Sequence, residues 1–142
     1  MTPGKTKPES TMIARAKEAM RRAHAPYSKF RVGAVVRGAS GRLYAGCNVE
    51  NAAYPEGWCA ETSAIAAMVA AGEKRIVEAL VMGKGRALVT PCGGCRQRLR
   101  EFAADDLPIH ICSPAGHRRT LTLGALLPLS FGPDHVKRGH KR

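Results

Sequence analysis

Four residues in two short stretches hold the chemistry available to this chain. In 58-WCAETSAIAAMVAAG-72 a thiol, Cys59, and a carboxylate, Glu61, stand at the mouth of a run that is otherwise small and apolar. In 90-TPCGGCRQ-97, Cys92 and Cys95 form a Cys-x-x-Cys pair just ahead of a helical pattern. Such a pair is half of a zinc site. Cys59 is the natural third ligand, because a helix N-terminus exposes unpaired N–H groups and partial positive charge that favour thiolate over thiol. Three ligands leave one tetrahedral corner open, as in catalytic zinc sites, whereas structural sites are closed. Zinc lowers the pKa of a water held at that corner to about 7 and so supplies hydroxide at neutral pH. Residues two apart on a regular helix point roughly 200° from each other, so Glu61 is not expected to bind the same ion as Cys59. A carboxylate beside the metal but not on it is a general acid/base.

The elements that must position these groups follow from periodicity. Ile13, Ala16, Ala19 and Met20 share one side of a helix predicted over Thr11–Ala23, which Pro26 ends. Strands are expected at 31-RVGAVVRG-38 and 42-RLYAGC-47, joined by a tight turn at Ala39–Gly41. The polar loop 48-NVENAAYPEG-57 is long for a connection without a function. A helix follows from about Cys59 to Ala71 with Gly72 as its C-terminal cap; being apolar nearly all round, it is expected to be buried. Then come a strand at 76-IVEALVMG-83, an extension or connector at 86-RALVT-90, and a helix over about Gly94–Ala103. A strand at 108-PIHIC-112, a short one near 118-RRTLT-122 and an apolar turn at 123-LGALLPL-129 complete the chain. Strands alternating with helices predict an α/β layered sheet.

The 142 residues fit one domain, expected over 11–134 between a disordered tail at 1–10 and a basic tail at 135–142. No run is long and apolar enough for a membrane span. The polar start MTPGKTKPES lacks a signal core, so a cytoplasmic protein is expected. In that reducing setting the five cysteines are free, metal-binding or catalytic rather than paired. Cys47 and Cys112 follow apolar strands and read as inert buried thiols. The net charge of +12 invites a nucleic-acid face. Its dispersal into small groups, without interleaved aromatic residues, favours a solvated surface and makes a nucleic-acid partner unlikely.

Taken in order, 25-APYSKFRVGA-34, 47-CNVENAAYPEG-57, 59-CAE-61, 91-PCGGCRQ-97 and 126-LLPLSFGP-133 resemble the zinc-dependent cytidine deaminases of the three-cysteine, homotetrameric branch. The resemblance runs from about Met12 to Val136 and implies an α/β fold of three layers, α/β/α, around a mixed sheet of about five strands. It implies one Zn²⁺ per subunit on Cys59, Cys92 and Cys95, with Glu61 as proton shuttle. Zinc-borne hydroxide attacks C4 of the cytosine ring, and cytidine or 2′-deoxycytidine becomes uridine or 2′-deoxyuridine plus ammonia, a step of pyrimidine salvage. The carry-over assigns Asn48 and Glu50 to the ribose hydroxyls, which accords with the acceptors that an amide and a carboxylate offer. It places Phe30 against the pyrimidine and includes Ala60 and Tyr54 among the substrate contacts. Phe131 enters a neighbouring subunit's site, which requires an oligomer.

Two positions depart from the family pattern. Thr62 is neutral where Arg often follows Cys-Ala-Glu and offsets thiolate charge, and Trp58 is bulkier than expected. Helix dipoles, or Arg96 donating to a zinc thiolate, are expected to compensate. Three rival readings use the same residues. One is a deaminase of a base within nucleic acid, and another is a deaminase of an aminonucleoside antibiotic. The third is a binding module whose zinc is closed by Cys47 as fourth ligand.

Overall fold

The computed structural model describes residues 6–140, with side chains through Val136. Residues 1–5 and 141–142 of the expected tails lie outside that range. The elements in chain order are α1 Ser10–Arg21, β1 Val32–Gly38, β2 Leu43–Cys47, a 3-10 turn at Tyr54–Glu56, α2 Ala60–Ala70 and β3 Ile76–Gly83. They continue with α3 Gly93–Phe102, β4 Pro108–Ser113, β5 Gly116–Thr122, α4 Leu123–Leu126 and α5 Pro133–His140.

The five strands form one sheet in the order β2-β1-β3-β4-β5. Only β3 and β4 run parallel; the other neighbours are antiparallel, so the sheet is mixed as expected. The parallel pair needs a crossover, and that crossover is α3, the helix bearing Cys92 and Cys95. Alternation along β1 divides the core into two layers. Val35 points with Leu80 and Met82 toward Met12, Ala16 and Met20 of α1. Ala34 and Val36 point the other way, into a larger cluster with Ala60, Ala64 and Met68 of α2 and Leu99 of α3. Leu99 is fully buried, and its truncation to Ala would cost about 2–5 kcal/mol.

Contacts at both ends hold α2 in place. Gly46 lets its start lie directly on β2: a Cβ there would stand 2.4 Å from the Ala64 nitrogen and 2.7 Å from the Ala60 carbonyl oxygen. Ser63 Oγ also donates to the Cys47 carbonyl at 2.8 Å. At the far end Gly72 takes φ +95°, its N–H bonding the Val69 carbonyl while the Glu73 N–H bonds that of Met68. This is the Schellman arrangement expected of a C-terminal glycine. Glu73 then accepts from the Ser40 N–H and Oγ at 3.0 and 2.7 Å and from the Tyr44 hydroxyl, tying the helix end to the β1–β2 turn.

Some expectations change. α2 is not buried all round: Ala60, Glu61, Ala64, Ile65 and Met68 are buried, whereas Ala66, Val69 and Ala70 are exposed. A helix packed on one side of a single sheet can bury only the stripe facing it. Of the two readings open for residues 86–90, the connector is the one observed. The segment 133-PDHVKRGH-140, expected as mostly tail, is helical, with Asp134 held by Arg100 at 2.9 Å. The sheet also buries Glu78 and His110, paired at 2.7 Å, with Arg37 on Glu78 and Thr120 on His110. His110 is thus a structural histidine.

Candidate active site and metal centre

Cys59 is the N-cap of α2, and Cys92 is the N-cap of α3. Cys95 lies in the first turn of α3, fully buried. The three sulfur atoms lie within 4.8 Å of one another, and Cys59 Sγ is 3.6 Å from Cys92 Sγ. Zn–S bonds of about 2.3 Å in tetrahedral geometry set sulfurs roughly 3.8 Å apart, so this donor set fits a zinc ion. Among the described residues the group comprises these three cysteines; Cys47 is not part of it. The arrangement expected of a closed four-sulfur site is therefore not the one observed. Cys59 is held below the ordinary thiol value by a hydrogen bond with Cys95, and the same bond together with burial raises Cys95.

Glu61 is 5% exposed and lines a cavity of about 350 Å³ together with Cys59, Ala60 and Cys92. Burial raises its pKa above the usual carboxylate value. Phe30, Asn48, Glu50 and Tyr54 line the same cavity, so the structure gathers five of the six expected substrate contacts, including Ala60, around Glu61. An adjoining cavity of about 390 Å³, further from the sulfurs, shares Glu50 and Tyr54 and adds Tyr27 and Ser28. Phe131 is absent from both linings: it is 61% exposed and stacks on His135 with ring centroids 5.1 Å apart.

Asn48 and Glu50 already hold the wall of the site. Asn48 Oδ1 accepts from the Val32 N–H at 2.8 Å, and its Nδ2 donates to the Phe30 carbonyl at 2.9 Å. Glu50 accepts from the N–H groups of Tyr27 and Ser28 at 2.9 and 3.1 Å and from the Ser28 hydroxyl, which hold its pKa below the usual value. An amide and a carboxylate have further capacity, so each side chain keeps room for a ligand hydroxyl.

Arg96 does not reach a sulfur. It donates to the carbonyls of Pro91 and Leu126 at 2.7 and 2.8 Å and to the Thr90 hydroxyl at 3.1 Å. One step along a helix turns a side chain by about 100°, away from its predecessor's partner. Arg98, one turn beyond Cys95, instead donates to the Cys95 sulfur at 3.8 Å. Thr62 Oγ1 lies 3.7 Å from the same sulfur. The i,i+3 spacing of Cys95 and Arg98 is the signal that identifies this contact in sequence. Val81, Val89 and Thr90 also line the cavity, and no motif marks them. Trp58 lies at its rim, 53% exposed, its backbone paired with Val49.

A mixed five-stranded sheet with three cysteine sulfurs gathered at two helix mouths defines an α/β protein with a site able to hold a metal ion. Residues 6–111 match the family described as the cytidine and deoxycytidylate deaminase zinc-binding region, and the chain belongs to that family. It is 37% identical over 125 residues to a cytidine deaminase of Sporosarcina psychrophila, covering 88% of this chain and 92% of that one. A cytidine deaminase of Mycobacterium tuberculosis is 42% identical over 124 residues, covering 87% and 89%. A crystal structure of cytidine deaminase from Burkholderia pseudomallei superposes with a TM-score of 0.82 at 36% identity, over 87% of this chain and 99% of that one.

Proposed function

We infer that this chain is a zinc-dependent hydrolase that deaminates cytidine and 2′-deoxycytidine to uridine and 2′-deoxyuridine, releasing ammonia. The observation that carries this reading is the meeting of Cys59, Cys92 and Cys95 within 4.8 Å beside a cavity lined by the buried Glu61. Cys59, Cys92 and Cys95 would hold one zinc ion per chain. When bound, the zinc supplies the Lewis acid that activates a water for attack on C4 of the cytosine ring.

Glu61 handles the protons. Its carboxylate accepts one from the attacking water and delivers it to N3. It then carries the remaining proton from the hydroxyl added at C4 to the amino group, which leaves as ammonia as the C4–N bond breaks and C4 becomes a carbonyl. Burial suits it to this work, because a raised pKa brings the protonated form closer to neutral pH. Phe30 supplies an apolar surface for the pyrimidine. Asn48 and Glu50 receive the ribose hydroxyls with the hydrogen-bonding capacity left over from the loop, while Ala60 and Tyr54 complete the wall. This set of groups suits a free nucleoside, and hence pyrimidine salvage, better than a base within nucleic acid or an aminonucleoside antibiotic.

The active form in this reading is a homotetramer. Two observations support it: Phe131 projects outside the cavities of its own chain, and the outer face of α2 leaves Ala66, Val69 and Ala70 exposed. The five cysteines are free, which accords with a reducing, cytoplasmic location. Among the described residues, no helix is long and apolar enough to cross a membrane.

The test is the ultraviolet spectrum of cytidine incubated with the purified, zinc-loaded protein, beside a cytosine-containing oligonucleotide. Conversion of the cytosine to the uracil chromophore in the nucleoside alone is expected. An unchanged cytidine spectrum overturns the reading, and turnover of the oligonucleotide alone redirects it to nucleic acid.

A further inference from the structure

We propose that Arg98 is the cation that balances the three-thiolate centre, reaching it from the zinc-binding helix α3 rather than from α2. Three thiolates around a divalent ion leave one net negative charge for a nearby group to balance. Thr62 offers a hydroxyl but no charge to Cys95. Arg96, the cation adjacent in sequence, directs its guanidinium to the Pro91 and Leu126 carbonyls and the Thr90 hydroxyl. Arg98 donates to the Cys95 sulfur at 3.8 Å.

A second observation comes from Gly94, inside the Cys-x-x-Cys pair. A Cβ at Gly94 would stand 3.0 Å from the Arg98 Nη1, 3.7 Å from its Cζ and 3.9 Å from its Nη2. The guanidinium therefore lies over the first turn of α3, in space that the missing side chain at Gly94 leaves open. A donated N–H and a fixed positive charge both draw electron density from the Cys95 thiolate, so Arg98 stabilises the deprotonated ligand set. Arg98 touches a ligand and not the reacting atoms, so it is a positioning residue for the metal centre.

This inference rests on the zinc reading above, and the experiment separates the two. Zinc affinity is measured by competition with a chromophoric chelator for the parent and for Arg98→Ala, Arg98→Lys and the double variant Thr62→Arg/Arg98→Ala, with circular dichroism as the check on folding. The cobalt-substituted proteins report the sulfur-to-cobalt charge-transfer band. Failure of the parent to bind zinc refutes the zinc reading itself.

With the parent loaded, Arg98→Ala is expected to weaken zinc binding by about tenfold, within the range for groups that support metal ligands. Its cobalt band moves to longer wavelength, because an unbalanced thiolate gives up its electron more readily. Arg98→Lys retains most of the affinity. Arginine at position 62, facing the same sulfur, restores much of what Arg98→Ala loses. A folded Arg98→Ala protein with parental affinity and an unshifted cobalt band overturns the proposal, as does failure of both Arg98→Lys and the added arginine to recover affinity.

Discussion

Cys59 Sγ and Cys92 Sγ lie 3.6 Å apart, although 33 residues and the whole of β3 separate them along the chain. Two helix mouths, each capped by one of these cysteines, face each other across that gap. The spacing suits a shared metal ion, and removing either sulfur leaves too few ligands for tight binding. Cys92→Ala is expected to lose its zinc on dialysis where the parent keeps one ion per chain, as read by elemental analysis, and to lose turnover with it.

Glu61→Gln separates the proton work from the metal. The substitution leaves all three sulfurs in place, so zinc content holds. Turnover of cytidine falls by about 10²–10⁴-fold, the range for a positioned proton-transfer group. Burial opposes ionisation of Glu61, so the neutral amide removes an unfavourable charge. The variant should therefore melt no lower than the parent in calorimetry.

Phe131 gives a test of shared sites. In the proposed homotetramer, Phe131→Ala and Glu61→Gln are each expected to lose activity, but in different ways if one chain's aromatic ring completes its neighbour's site. Mixing the two after gentle dissociation is expected to restore part of the activity, because some sites then combine an intact Glu61 with a neighbour's intact Phe131. Sedimentation should show a tetramer before and after mixing.

The Glu73 clamp predicts a pH signature in stability. Bonds from the Ser40 and Tyr44 hydroxyls hold the folded pKa of Glu73 below its ordinary value. A depressed folded pKa stabilises the fold above the unfolded value of about 4.3 and loses that contribution as pH falls through the folded pKa. Glu73→Gln should melt earlier than the parent at pH 7, with the gap closing in acid. A gap independent of pH would mean that ionisation of Glu73 is not what holds the turn.

Thiol chemistry distinguishes the cysteines. Burial pushes the Cys112 thiol up to about 11, whereas Cys92 is exposed. Reactivity follows the thiolate fraction and access. In metal-free protein at mild pH, iodoacetamide is expected to modify Cys92 well before Cys112, by peptide mass spectrometry. Zinc should protect Cys92 without changing the rate at Cys112.

Much of the site is legible from spacing because helix geometry is local. A cysteine before an apolar run and a Cys-x-x-Cys before another helix must become caps and first-turn residues, and the structure places them so. The glycine signal at Gly72 was equally local, and it ends α2 as anticipated. Arg96 and Arg98 show where that reasoning needs more care. Adjacency to Cys95 favours Arg96, but a helical turn brings position 98, not 96, back to the sulfur. The α5 helix escaped because 133-PDHVKRGH-140 has too few apolar residues to show a stripe.

The sequence alone determined the types of the candidate ligands and the place of the acidic side chain at a helix mouth, since each follows from residue chemistry or a period of a few residues. The two-layer core was settled by packing. Tertiary structure decided which thiols meet, that Cys47 stays apart from them, and that Asn48 and Glu50 brace the Phe30 loop while lining the cavity. It also decided that Phe131 lies outside its own chain's cavities. Those outcomes depend on β3 and β4 pairing in parallel and on α2 settling against Gly46, contacts between segments tens of residues apart that no local pattern encodes.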